Sequence, residues 1–187
     1  GEWPVVLADY SDRSGDATFI LQEIVSQKLS DTLYGTIRDE HALQRIMSEE
    51  LEEGDKFDMA VGGFAGPASG KPTQIQGTIG YLGKGAGFNQ IAVINFGDNN
   101  SVIITPALKQ ITTLSQLRSA GIEPDDYKVF VTKSRVHFRR GFDETGYAKS
   151  ILLVDAPESF VGTVRLDALD YQNVNLSDFY PYQQGED

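Results

Sequence analysis

The chain contains no cysteine and only two histidines among its 187 residues, and both shortages narrow the chemistry that it can carry. Without cysteine it has no disulfides, no thiol nucleophile and no thiolate metal ligand. The histidines, His41 and His137, lie far apart in the sequence, so a complete zinc site within this chain is not expected. The lack of cysteine also fits a cytoplasmic protein.

Several familiar signals are missing as well. No apolar run approaches the roughly 18 residues that a membrane helix needs, and no signal peptide opens the chain. The sequence has no Walker A loop, no G-x-G-x-x-G loop, no G-x-S-x-G elbow and no Ser-His-Asp order. The formal net charge of −11 argues against nucleic acid or an anionic membrane as partners. Because the chain has no initial Met and enters an apolar strand at once, we expect a piece of a longer protein.

Hydrophobic residues make up 40% of the chain, and their pattern predicts a mixed α/β fold in a single domain over 1–187. A βαβαβ parallel portion comes first, with strands at 4–10, 33–38 and 57–63 and helices at 16–30 and 39–54. A β-rich middle follows, with a strand at 73–84 and a hairpin at 90–106 around the turn "GDNN". The last part reads αβαβ, at 113–121, 127–133, 135–143 and 148–157, before an irregular tail at 158–187.

The loop after the first strand is a candidate binding site. Loops at the carboxyl ends of parallel strands are where α/β folds place ligands, because backbone N–H groups and the following helix point there. We therefore predict a substrate-binding role for Asp12, Arg13, Ser14, Gly15 and Asp16. The alternative is a polar turn in which Asp16 caps the helix.

The stretch "TKSRVHFRRGF" (132–142) has the same position, after a strand and before a helix. Lys133, Ser134 and the first helical N–H groups could bind a carboxylate or a polarised carbonyl. His137, one turn into the predicted helix, would be kept neutral and suited to proton transfer. The alternative is that His137 and Phe138 pack while the arginines pair with the many carboxylates.

Three further segments have simpler interpretations. His41 lies on a charged helix and is predicted to be a solvated surface residue. The acidic run at 48–55 lacks the glycine of a calcium loop and is predicted to be a solvated helix end. The loop at 62–72, rich in Gly and Pro, is either a plain connector or a mobile flap or partner-contacting loop.

Motifs along nearly the whole chain resemble the C-terminal domain of MlrC-type (microcystinase C) proteins, a family of proposed zinc metallopeptidases. They are "PVVLAD", "GDAT", "GPASGKP", "GIEPDDYKVFVTKSRVHFRRGFD" and "ILLVDAP". The first loop departs from the family's pattern, because Arg13 and Ser14 replace Asn-Pro and a run of glycines is missing. A glycine run lets backbone approach a ligand closely, so its loss bears on which substrates the loop can meet.

The resemblance implies that a larger N-terminal domain, absent from this chain, holds the zinc and packs against this domain. It implies that Lys133 and His137 are catalytic at an interdomain cleft, with Ser134 and Phe138 binding a small peptide or amide substrate. The alternative is a non-catalytic module that binds a small molecule or a partner, or that assembles. Self-association through exposed aromatics is also predicted, with Trp3, Phe179, Tyr180 and Tyr182 as candidates.

Overall fold

A computed structural model describes residues 2–10, 12 and 15–155. Within them the chain forms one continuous eight-stranded sheet, which confirms the mixed α/β class. The strands are β1 (Val5–Asp9), β2 (Thr32–Arg38), β3 (Lys56–Val61), β4 (Thr73–Gly85), β5 (Phe88–Phe96), β6 (Asn100–Thr105), β7 (Val129–Thr132) and β8 (Ser150–Val154). Their order across the sheet is β3-β4-β5-β6-β2-β7-β1-β8.

The sheet has a parallel half and an antiparallel half that share β6. Strands β6, β2, β7, β1 and β8 run parallel, whereas β3, β4, β5 and β6 pair antiparallel. The predicted hairpin is present as β5 and β6. The third predicted strand, β3, lies antiparallel at the far edge instead of joining the parallel set. Its side chains alternate between exposed and buried, which is typical of antiparallel strands that face water on one side.

Helices cover the two faces of the sheet and create two hydrophobic clusters. The helices are α1 (Phe19–Ser26), α2 (Glu40–Ser48), α3 (Leu114–Arg118) and α4 (Arg139–Phe142). Buried side chains of α1 and α2 pack with one cluster, and those of α3 and α4 with the other. No helix in the part of the chain described here is long and apolar enough to cross a membrane.

Three helix starts can be compared with the sequence. Asp39 caps α2 as predicted, since its Oδ1 accepts a hydrogen bond of 2.9 Å from the Ala42 amide. Helix α1 begins at Phe19 after Thr18, so Asp16 is not its N-cap. Helix α4 covers only 139–142, because residues 135–138 form a bend and a turn first. His137 therefore precedes the helix instead of lying one turn inside it.

Candidate functional site

The five parallel strands all end at one edge of the sheet, and the loops that follow them meet there. Asp9 ends β1, Arg38 ends β2 and Thr132 ends β7. Because β7 lies between β1 and β2, the segment that begins at Lys133 is flanked by the loops that leave these two neighbours. This edge is where open α/β sheets place ligands. The structure thus brings together two segments that are 121 residues apart in the sequence.

Lys133 lies at the centre of this edge and is 1% exposed. Its ammonium group forms an ion pair with the carboxylate of Asp12, and the Asp9 carboxylate lies 3.7 Å away. It also donates a hydrogen bond of 2.7 Å to the carbonyl oxygen of Ala17. The Nζ atom lies 5.2 Å from the centre of the Tyr34 ring, whose hydroxyl donates to the same carbonyl at 2.8 Å. Every one of these contacts is made within the protein, so the Lys133 ammonium has a structural role in the fold.

The pKa values of this cluster keep both charges of the ion pair in place. Burial by itself would raise the pKa of Asp12, but Lys133 and the amides of Gly15 and Ala17 outweigh it and lower the pKa. Burial likewise opposes the charge of Lys133, yet Tyr34, Asp12 and Asp9 together raise its pKa above the ordinary value. Burial raises the pKa of Tyr34 to about 12, so its hydroxyl stays a neutral donor.

The Asp12 carboxylate holds the backbone of the first loop, the segment after β1, by accepting hydrogen bonds from it. One carboxylate oxygen accepts a hydrogen bond of 2.8 Å from the Gly15 amide, and the other accepts one of 3.1 Å from the Ala17 amide. Gly15 has a φ of +79°, and a Cβ atom there would lie 2.7 Å from the Leu108 side chain. Only glycine meets both conditions without strain. The loop is therefore folded around the Asp12 carboxylate.

Asp16 continues this framework into the loop at 62–72. Its carboxylate accepts hydrogen bonds from the amides of Phe64 (2.9 Å) and Ala65 (2.7 Å) and from the Ser69 hydroxyl (2.9 Å). The Thr18 hydroxyl adds a bond of 2.6 Å to the Lys71 carbonyl. The Gly- and Pro-rich loop is thus bonded to the first loop at several points, and Asp16 is buried beneath it.

Ser134, His137 and Phe138 lie in very different surroundings. Ser134 is buried, and its hydroxyl donates to the side-chain oxygen of Gln110 at 3.2 Å while accepting from the Phe138 amide at 3.3 Å. His137 is exposed, with its Nδ1 3.1 Å from the same Gln110 oxygen. Phe138 is fully buried in the cluster under α3 and α4. Among these three residues, His137 alone is exposed to solvent.

Comparison with known protein families identifies the family of this chain. The family model described as "MlrC C-terminus" matches residues 13–173. The chain belongs to the MlrC C-terminal family. It is similar to Microcystinase C from Sphingomonas sp, at 27% identity over 166 residues that cover 81% of this chain and 32% of that protein. It also resembles the crystal structure of a proposed metallopeptidase from Mesorhizobium sp. BNC1, with a TM-score of 0.68 and 20% identity over 83% of this chain and 34% of that one.

This MlrC-family chain spans about a third of the length of both relatives. The structural neighbour itself is named as a proposed metallopeptidase. Within the described residues, however, no group of three or more His, Asp or Glu side chains could hold a metal ion. The Asp9 and Asp12 carboxylates at the centre of the edge face the Lys133 ammonium instead. The residues that the structure describes therefore do not form a metal site of their own.

Two predicted site residues and three predicted aromatics cannot be placed. Arg13 and Ser14 lie outside the described residues, as do the tail aromatics Phe179, Tyr180 and Tyr182. Trp3 is described and is 48% exposed, as an aromatic at a contact surface would be.

Sequence reasoning missed the roles of four residues at this edge. Asp9 and Arg38 end parallel strands, and that position was the signal that could have singled them out. Tyr34 lies within β2, and a tyrosine inside a buried strand needs a hydrogen-bond partner. Gln110 lies in an irregular segment, and nothing in its sequence context marks it as the shared partner of Ser134 and His137.

Replacing Lys133 with Met is expected to lower the free energy of unfolding by about 3–5 kcal/mol, because the Asp12 charge would stay buried without its cation. Urea unfolding followed by circular dichroism measures this. The control is Lys128→Met, which removes an ion pair to Asp31 from a side chain that is 54% exposed. That change is expected to leave stability almost unaltered. Equal stability of wild type and Lys133→Met would contradict the role given to the buried pair.

The lowered pKa of Asp12 predicts a loss of stability in acid. A carboxyl group whose pKa is lower in the folded state than in the unfolded chain stabilises the fold above its ordinary value of 3.8. This contribution disappears as the pH falls through the lower folded-state pKa. Asp12→Asn should therefore be less stable than wild type at about pH 7, with a difference that shrinks toward about pH 2. Two parallel curves of unfolding free energy against pH would show that Asp12 is not coupled in this way.

Proposed function

We propose that this chain positions substrate at an interdomain cleft of a metal-dependent peptidase or amidohydrolase of the MlrC family. Its partner is the N-terminal part of the same protein, which would hold the metal, zinc in our proposal. A bound zinc would act there as a Lewis acid toward the amide carbonyl. The observation that carries the proposal is the bonded framework at the carboxyl edge together with His137, which is exposed and oriented by the Gln110 side chain. The lack of cysteine favours the cytoplasm as its location.

His137 is the residue that we assign to contact with the substrate. The Gln110 side-chain oxygen can only accept hydrogen bonds, so the neutral His137 ring carries its proton on Nδ1 to bond with it. The second ring nitrogen, Nε2, then has a lone pair that can take a proton from the substrate side or accept a hydrogen bond. Gln110 is held in turn by the Ser134 hydroxyl. This arrangement is that of an oriented general base.

Lys133 enters the proposal as a positioning residue. Its side chain is fully buried, and its ammonium group contacts Asp12 and the Ala17 carbonyl. We therefore assign it an indirect role, in which it fixes the first loop that would border the substrate. Asp12, Gly15 and Asp16 act with it, since they fold that loop and join it to the loop at 62–72.

The test uses the full-length protein that contains this chain. Metal content is measured first, and hydrolysis of a library of linear and cyclic peptides is followed by mass spectrometry. His137→Ala is expected to keep the metal and to lose about 100- to 10,000-fold in kcat, as expected for loss of a general base.

The matched control is Val136→Ala, which shortens the neighbouring side chain, 62% exposed, and is expected to leave kcat unchanged. A metal-free, inert parent would remove the hydrolase proposal and favour the binding or assembly module. Full activity in His137→Ala would remove the role of His137.

A further inference from the structure

A cavity of about 240 Å³ opens at the same carboxyl edge, between the start of α2 and the loop at 62–72. Its walls include Arg38, His41, Phe64 and Pro106. It borders the framework described above, because Asp16 belongs to both and the Arg38 amide donates a hydrogen bond of 2.7 Å to the Gly15 carbonyl. Its volume is below the roughly 300 Å³ at which pockets for whole small molecules begin, so it suits one residue of a longer ligand.

Arg38 is the cation of this cavity. Within the described residues its guanidinium group makes no ion pair and donates no hydrogen bond. A guanidinium group carries five N–H donors in a planar fork that matches the two oxygens of a carboxylate. A partly buried arginine without a partner in its own fold is therefore a candidate for binding a carboxylate from outside.

The acidic groups in the cavity wall are already engaged. The Asp39 carboxylate accepts from the amides of Ala42 (2.9 Å) and Gly62 (3.0 Å), and the Asp16 carboxylate accepts from two amides and a hydroxyl. Glu40 is exposed and accepts from Gln44 at 3.3 Å. These carboxylates weaken the attraction for an anion but leave its hydrogen-bond partner, the guanidinium, available. A cationic ligand would be repelled by Arg38, and the carboxylates that could accept its hydrogen bonds already accept bonds from the protein.

Two aromatic rings supply an apolar wall beside Arg38. Phe64 is 56% exposed and meets the His41 ring edge-to-face, with centroids 6.4 Å apart. The position of Phe64 is fixed by the Asp16 carboxylate, which accepts from its amide. A ligand group with a short apolar part and a terminal carboxylate would pack on this ring while its oxygens bond Arg38.

We propose that this cavity is a subsite for an acidic residue of the substrate, with Arg38 as the residue that determines specificity. The inference rests on the proposed function, because it treats the ligand as part of a peptide or amide cleaved at the adjoining site. It gives His41 a contact role that the sequence alone did not suggest.

The test again uses the full-length protein. Peptides that differ only by Glu or Gln, scanned through each position near the cleaved bond, are compared by kcat/KM. At one position Glu should be favoured by about 10- to 100-fold, as expected for charge-assisted hydrogen bonds. Arg38→Gln should abolish the preference, and Arg38→Lys should weaken it because a lysine cannot form the bidentate pair. The control, Arg45→Gln, alters an exposed arginine on α2 that pairs with Glu49 and should keep the preference.

A second readout separates this inference from the proposed function. Titration calorimetry of the full-length protein with N-acetylglutamate amide and with N-acetylglutamine amide measures binding without turnover. If no peptide is hydrolysed, the proposed function fails, yet tighter binding of the glutamate compound that disappears in Arg38→Gln would still support the subsite. No difference between the two compounds, or the same difference in Arg38→Gln, would overturn it.

Discussion

The buried ion pair between Lys133 and Asp12 is the interaction on which the carboxyl edge of the sheet depends. It joins the end of β7 to the loop after β1, and the Asp12 carboxylate then holds the amides of Gly15 and Ala17. The loop so formed presents Asp16, which binds the backbone of a third segment at 63–65. A buried ion pair is costly to form and costly to break, and in some proteins its benefit is one defined arrangement of the chain around it. Here that arrangement would be a fixed surface for a substrate.

The topology of the sheet determines where this surface lies. Five parallel strands end at one edge, so their loops converge there, whereas the antiparallel half of the sheet extends away from it. His137 and Gln110 occupy one part of the edge, and the cavity at Arg38 occupies another. Under the proposed function, this division would give a peptide-cleaving site one oriented base and one separate specificity pocket on its non-metal side.

Much of the fold could be predicted from the sequence, because apolar periodicity and turn residues mark strands, helices and the hairpin locally. The first loop and the segment that begins at Lys133 could both be recognised as candidates, because each follows a strand and precedes a helix. What could not be predicted depends on distant partners. Asp16 has the sequence context of a helix cap, but the amides it binds lie some 50 residues away. The family resemblance implies a catalytic role for Lys133, but its burial depends on carboxylates of another strand and loop.

The most direct test is native-state hydrogen exchange of wild type and Lys133→Met. The account predicts that the variant loses more protection at the amides of Gly15, Phe64 and Ala65 than at amides within β4 and β5, whose smaller loss reports the lower global stability. Lys133 does not touch Phe64 or Ala65. That pattern would show that one buried pair holds both loops. Wild-type protection at Phe64 and Ala65, with loss at Gly15 alone, would contradict the coupling on which the proposed site rests.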